Sequence, residues 1–173
     1  MSRIGANRLH RWLSAGEILF SLEPWLGFVT SSLGRLDCTT IARDNRVGIQ
    51  RRRLAGGGHV YDTSESLSLS YVWVLGAYEL VRVIDQRVRE KDQFCVANYS
   101  GIKTLKRHFE RIRIPLAKLE ASKKNESTDF RTAIPIFDSK LNSTAWVVAP
   151  KVVVRRRELA DNLLDFLTAT KTN

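Results

Sequence analysis

The densest apolar segment of the chain lies between residues 65 and 90, and its spacing predicts a helix. Leu67, Tyr71, Val74, Tyr78 and Val81 recur at steps of three and four, while Val72, Trp73, Leu75, Ala77, Leu80, Val83 and Ile84 fill the other sides. A helix that is apolar nearly all round belongs in the middle of a bundle. The run Thr63-Ser64-Glu65 supplies a start signal after the turn Gly56-Gly57-Gly58. Tyr71 to Leu75 would also suit a strand, but the segment's length and the polar Glu79, Arg82 and Asp85 favour helix.

A second helix is expected from about residue 102 to 124. Ile102, Leu105, Phe109, Ile112, Leu116 and Leu119 form one stripe, with Lys103, Lys106, Arg107, Arg111 and Lys118 on the other faces. Pro115 removes a backbone donor and is expected to kink or split this helix near Arg113-Ile114. The polar run 123–129 reads as a loop.

Residues 133–137 and 145–149 then read as a short hairpin, with Pro135 confining the first strand to an edge. A closing helix begins at about Arg155, with Leu159, Leu163, Phe166 and Leu167 as its stripe. At the other end, 7–15 and 15–36 show helical spacing with a kink at Pro24, and 37–62 reads as a basic loop. The expected fold is therefore mainly α: a single-domain helical bundle with one small β-hairpin near the C-terminus. Its parts are N-terminal helices and a basic loop (1–62), a central helix pair (63–129), and the hairpin with the last helix (130–173).

Composition agrees with a folded domain. The chain has 173 residues, 43% hydrophobic and 27% charged, which excludes bulk disorder and fibrous repeats. Two cysteines, Cys38 and Cys95, with three histidines, make neither a disulfide framework nor a zinc site, so no metal and no cofactor is expected. The apolar stretches 18–29 and 71–84 are shorter than the roughly 20 residues a bilayer requires, and no signal-peptide pattern opens the chain. No membrane partner and a cytoplasmic location are the expectations.

Charge changes the picture most. The net charge is +10, and it is uneven: +5 over 1–56, −2 over 57–98, +4 over 99–129 and +3 over 130–173. Nineteen of the 28 basic residues are arginine, whose planar fork suits phosphate. Three clusters would present cations: Arg51, Arg52 and Arg53; Lys106, Arg107, Arg111 and Arg113; and Arg155, Arg156 and Arg157. Such clusters point to a polyanion, RNA favoured, and an acidic protein would satisfy the same charge. A protein-interaction module is the second expectation, anchored on surfaces near Trp12, Trp25 and Trp146. A homodimer is compatible with either.

Catalytic candidates are sparse. Glu79, Arg82 and Asp85, three residues apart, predict a polar seam on an otherwise buried helix. His10, His59 and His108 lack a nucleophile or carboxylate at a recognised spacing, and Gly56-Gly57-Gly58 lacks the Lys-Ser/Thr of a phosphate loop. The expectation leans away from an enzyme.

The order of a long apolar helix with a polar seam, then a basic helix interrupted at Arg113-Ile114-Pro115-Leu116-Ala117-Lys118-Leu119, resembles the HEPN superfamily of all-α, nucleic-acid-associated proteins. Active members carry an Arg, then four to six intervening residues, then a His, which together act in RNA cleavage across a dimer. The resemblance covers about residues 65–122 and places Arg113 at the Arg position. Leu119 stands where the His would be, so it implies a non-catalytic member. Arg3 and His10 meet the loose spacing only outside that context. A metal-independent ribonuclease would need a substitute proton carrier, His108 or His10, with Arg113 and Glu79 beside it.

Overall fold

The computed structural model describes residues 3–53, 62–90 and 99–169. Five helices and a three-stranded sheet surround one hydrophobic core, so the fold is mainly α. The helices are α1 (Arg3–Leu22), α2 (Pro24–Arg53), α3 (Ser64–Arg89), α4 (Tyr99–Lys118) and α5 (Arg156–Ala169). The strands are β1 (Ile134–Asp138), β2 (Ser143–Ala149) and β3 (Val152–Arg155).

Pro24 does not kink a helix; it begins one. The chain turns at Glu23, and Pro24 occupies the first position of α2, where a missing N–H costs nothing. α1 and α2 then pack back to back through glycines. A Cβ on Gly34 would run into Cβ and Cγ of Trp12, and one on Gly27 would meet the Phe20 backbone and the Gly16 carbonyl oxygen. Gly34→Ala is therefore expected to invert the usual sign. At an open helix position the change gains about 1 kcal/mol, whereas here it should cost about 1–3 kcal/mol as overpacking against a fully buried ring. Urea unfolding followed by circular dichroism checks this, and an unchanged midpoint would refute the close approach.

The largest departure from expectation is residues 37–53, read as loop and found as the second half of α2. The inward stripe of this helix is Leu26, Thr30, Leu33, Asp37, Thr40, Asp44 and Val47, all buried. Their steps of four and three are those of a regular helix, but four of the seven side chains are polar. Hydrophobic periodicity was therefore absent while helical periodicity was present. Gly56-Gly57-Gly58 and His59 lie outside the described residues.

α3 is the central helix, burying Trp73, Val74, Ala77, Tyr78, Leu80, Val81 and Ile84. It is long and apolar enough, by length and composition, to cross a bilayer, a longer element than its apolar stretch alone suggested; in this fold those side chains form the core. The start differs from expectation in detail. Asp62, not Thr63, accepts the hydrogen bond from the Ser64 backbone N–H, at 2.9 Å.

α4 buries Ile102, Leu105, Phe109 and Ile112. It runs through Pro115 unsplit and stops at Lys118, where Leu119 takes a left-handed backbone (φ 57°) and leaves the stripe for solvent. A short 3-10 turn follows at Lys123–Asn125.

The hairpin is present and carries a third strand. β1 and β2 pair antiparallel from Ile134 opposite Val147 to Asp138 opposite Ser143, and Pro135 sits on the edge strand. β3 joins the other side of β2, so Val152 to Arg155 extend the sheet before α5 begins. Trp146 of β2 and Leu159, Leu163, Leu164 and Leu167 of α5 close the core over α3.

Candidate nucleic-acid interface

α2 sorts its charges by side. It carries six arginines and two acids, and both acids, Asp37 and Asp44, point inward and are fully buried. The opposite stripe is Phe28, Ser32, Arg35, Thr39, Ala42, Arg46, Ile49 and Arg53, every one exposed. No acid interrupts it. At a rise of about 1.5 Å per residue, Arg35 and Arg53 are roughly 27 Å apart along the axis.

The inward acids hold a buried charge network. Asp37 Oδ1 accepts from Arg156 Nη1 at 2.5 Å, and its Oδ2 accepts from Arg8 Nε at 2.5 Å and Trp12 Nε1 at 3.0 Å. Arg8 continues to Asp161 of α5 at 2.5 Å. Arg156 is fully buried, its guanidinium 5.7 Å from the Trp73 ring centroid and its Nη2 3.7 Å from Asp44. Burial pushes the Asp44 carboxyl above the usual range, and Arg156 and the Ser66 hydroxyl only partly oppose that. The network ties α1, α2 and α5 together. It also absorbs both acids that would otherwise neutralise the outer arginines of α2.

Beside this outer stripe, a groove of about 440 Å³ runs between α1 and α2. Arg35 and Arg46 stand along it, with Thr39 and Asn45 as polar lining and Leu9, Ile41 and Ala42 as apolar lining. Arg157 of α5 reaches its rim through Asn45, at 3.4 Å. Burial and then Arg156 lower the Arg157 pKa, the condition of a cation short of a counter-ion. Cys38 lines the groove as a free, half-buried thiol; burial and Asp37 raise its pKa, so it is protonated at neutral pH and a poor nucleophile.

The expected cations divide sharply. Arg51, Arg52 and Arg53 are exposed in the last turn of α2, where the helix C-terminus also favours positive charge, and Arg107 is exposed on α4. The rest of the α4 cluster is engaged. Lys106 pairs with buried Asp85 at 2.8 Å, Arg111 grips Asp129 with two bonds of 2.8 Å, and Arg113 lies 5.0 Å from the Tyr78 ring centroid and 3.9 Å from Glu79. The third cluster is corrected outright. Arg155 is paired with Asp138 at 2.5 Å and with Glu158 at 3.2 Å, Arg156 is core, and Arg157 is half-buried. A basic triplet at a strand-to-helix junction points its side chains in different directions, so adjacency in sequence did not make a surface patch.

Two further expectations change. Glu79 and Arg82 are paired at 2.7 Å on the surface, and only Asp85 is buried, so no polar seam runs through the core. Trp12 and Trp146 are fully buried and anchor no outer surface, while Trp25 is exposed. His108 is exposed in a hollow between α4 and α5 with Asn162 and Asp165, and His10 is exposed on α1. His108 and Arg113 are five residues apart on α4, about 140° around its axis, so they face different ways. Cys95 lies outside the described residues, and among the described residues no His, Cys, Asp and Glu cluster could hold a metal ion.

The residues missing from the sequence reading are Arg35, Arg46, Asp37, Asp44 and Arg8. A signal existed: Asp37 and Asp44 are seven apart, two helical turns, and so share one side of any helix through them. A comparison with protein-family models, curated proteins and solved structures finds no match, so the functional reading rests on this geometry.

Proposed function

We propose that this protein binds a polyanion, RNA in the first place, along the outer face of α2, with Arg35, Arg46, Arg52 and Arg53 on phosphates. The supporting observation is the segregation of charge on one helix: both acids are buried in ion pairs, and the exposed stripe carries arginines and no acid. Arginine donates two parallel bonds to a phosphate and remains charged at any cellular pH. The groove beside Arg35 and Arg46 offers Thr39 and Asn45 as additional donors to sugar or phosphate oxygen. The proposal is binding rather than cleavage, since Arg113 is engaged with Tyr78 and Glu79 and Leu119 has no ionisable group to transfer a proton.

Phosphate contacts release counter-ions, so affinity for a labelled single-stranded RNA 20-mer, followed by anisotropy, should fall steeply with salt. With three or four contacts the log–log slope against salt is expected near −2 to −3, at about 0.7 per phosphate. Absence of binding at low salt, or a flat response, would reject the proposal. An acidic polypeptide competing as well as RNA would redirect it to a protein partner.

A further inference from the structure

We propose that the aromatic end of the same face, Phe20, Trp25 and Phe28, is a stacking platform for unpaired bases, so that α2 reads single strands. This rests on the polyanion reading and adds the chemistry of the ligand to it. Trp12, Trp73 and Trp146 are fully buried, but Trp25, the fourth tryptophan, is 66% exposed. Phe28 and Phe20 are 58% and 57% exposed. The rings of Trp25 and Phe28 lie 5.3 Å apart at 23°, a nearly parallel pair open to solvent. Large exposed apolar side chains collected in one place mark an interaction surface.

The fold builds this surface deliberately close to the cations. Gly16 and Gly27 bring α1 and α2 together, leaving a hollow of about 380 Å³ flanked by Phe20 and Phe28. Phe28 and Arg35 share one stripe, seven residues and about 10 Å apart. A strand laid along α2 would therefore place phosphates on Arg35 and Arg46 and its next bases on Phe28 and Trp25. Glu17 also lines the hollow, and its carboxylate repels phosphate there, which favours the uncharged base at this end.

A lipid surface fits less well. Helices that lie in a membrane interface keep an apolar face along their length, whereas beyond Phe28 this stripe has only Ala42 and Ile49 as apolar positions. Every base has a π-face, so stacking is tolerant of sequence and complements arginines that read only backbone.

Trp25 provides its own reporter, because the other tryptophans are shielded. Single-stranded RNA at low salt should quench tryptophan emission, and double-stranded RNA or polyphosphate should bind without that quench. Trp25→Ala with Phe28→Ala should weaken single-strand binding about five- to hundredfold and leave polyphosphate affinity unchanged, whereas Trp25→Phe should retain most of the affinity. RNA binding without quenching, and unaffected by the double variant, would overturn the stacking platform while leaving the polyanion reading intact. Failure to bind any polyanion would overturn both. A blue-shifted emission on phosphatidylserine vesicles, without response to RNA, would assign the aromatics to lipid and overturn the inference.

Discussion

Asp37→Asn is expected to destabilise the fold by about 3–5 kcal/mol, the usual cost of removing one partner from a buried ion pair. The substitution keeps the shape of the side chain, so no cavity contributes. What it removes is the charge that Arg156, Arg8 and the Trp12 indole all address, at 2.5, 2.5 and 3.0 Å. Arg156 would then be buried with only Asp44, 3.7 Å away, to balance it. An asparagine also turns an NH₂ group towards one of these donors.

Asp44→Asn makes the informative contrast. Its carboxyl is held above the ordinary range by burial, and neither oxygen makes a hydrogen bond of good geometry. A raised value means that the fold binds the proton more tightly than the unfolded chain. The penalty for ionising Asp44 is therefore absent in acid and appears as pH rises through that value. Asp44→Asn relieves it, so this variant should lose well under half of what Asp37→Asn loses, and should compare better with wild type at neutral pH than in acid. Urea unfolding of both variants at two pH values tests the pair. Equal losses, or no loss for Asp37→Asn, would refute the assignment of Asp37 as the hub.

Reversing charge on the outer face of α2, with Arg35→Glu, Arg46→Glu and Arg53→Glu together, is expected to weaken RNA binding sharply while leaving the chain folded. All three arginines are exposed and make no ion pair among the described residues. The structural cost is confined to Arg53→Glu at the helix C-terminus, about 0.3–1 kcal/mol from the helix dipole. Three phosphate contacts are lost and three repulsions replace them. Affinity at low salt should fall at least about a hundredfold, and the log–log salt slope should shrink by about 2. Arg111→Gln is the control, since that guanidinium is committed to Asp129 and should alter stability more than binding. A triple variant that binds as wild type does, with an unchanged slope, would remove α2 from the interface.

Much of the fold was legible because its cues are local. The steps of three and four through Leu67 to Val81 and Ile102 to Leu116 describe faces that a helix must bury, and α3 and α4 pack them against the core except at Tyr71, which is exposed. Pro135 announced an edge strand because it cannot donate to a neighbour, and β1 is that edge. The second half of α2 was hidden by its inward polar residues, which are tolerated there only because Arg8, Trp12 and Arg156 arrive from other elements. β3 was hidden beside the basic triplet, which read as the start of a helix.

The candidate site was half legible for the same reason. The sequence alone determined that the protein is mainly helical, that it carries ten excess positive charges, and that arginine supplies most of them. Which arginines face solvent uncompensated was decided by tertiary structure. Asp37 and Arg156 meet across 119 residues and Arg8 and Asp161 across 153. A side chain's charge is a property of its residue type, but its availability depends on whether burial has brought it an opposite charge, and no local pattern records that.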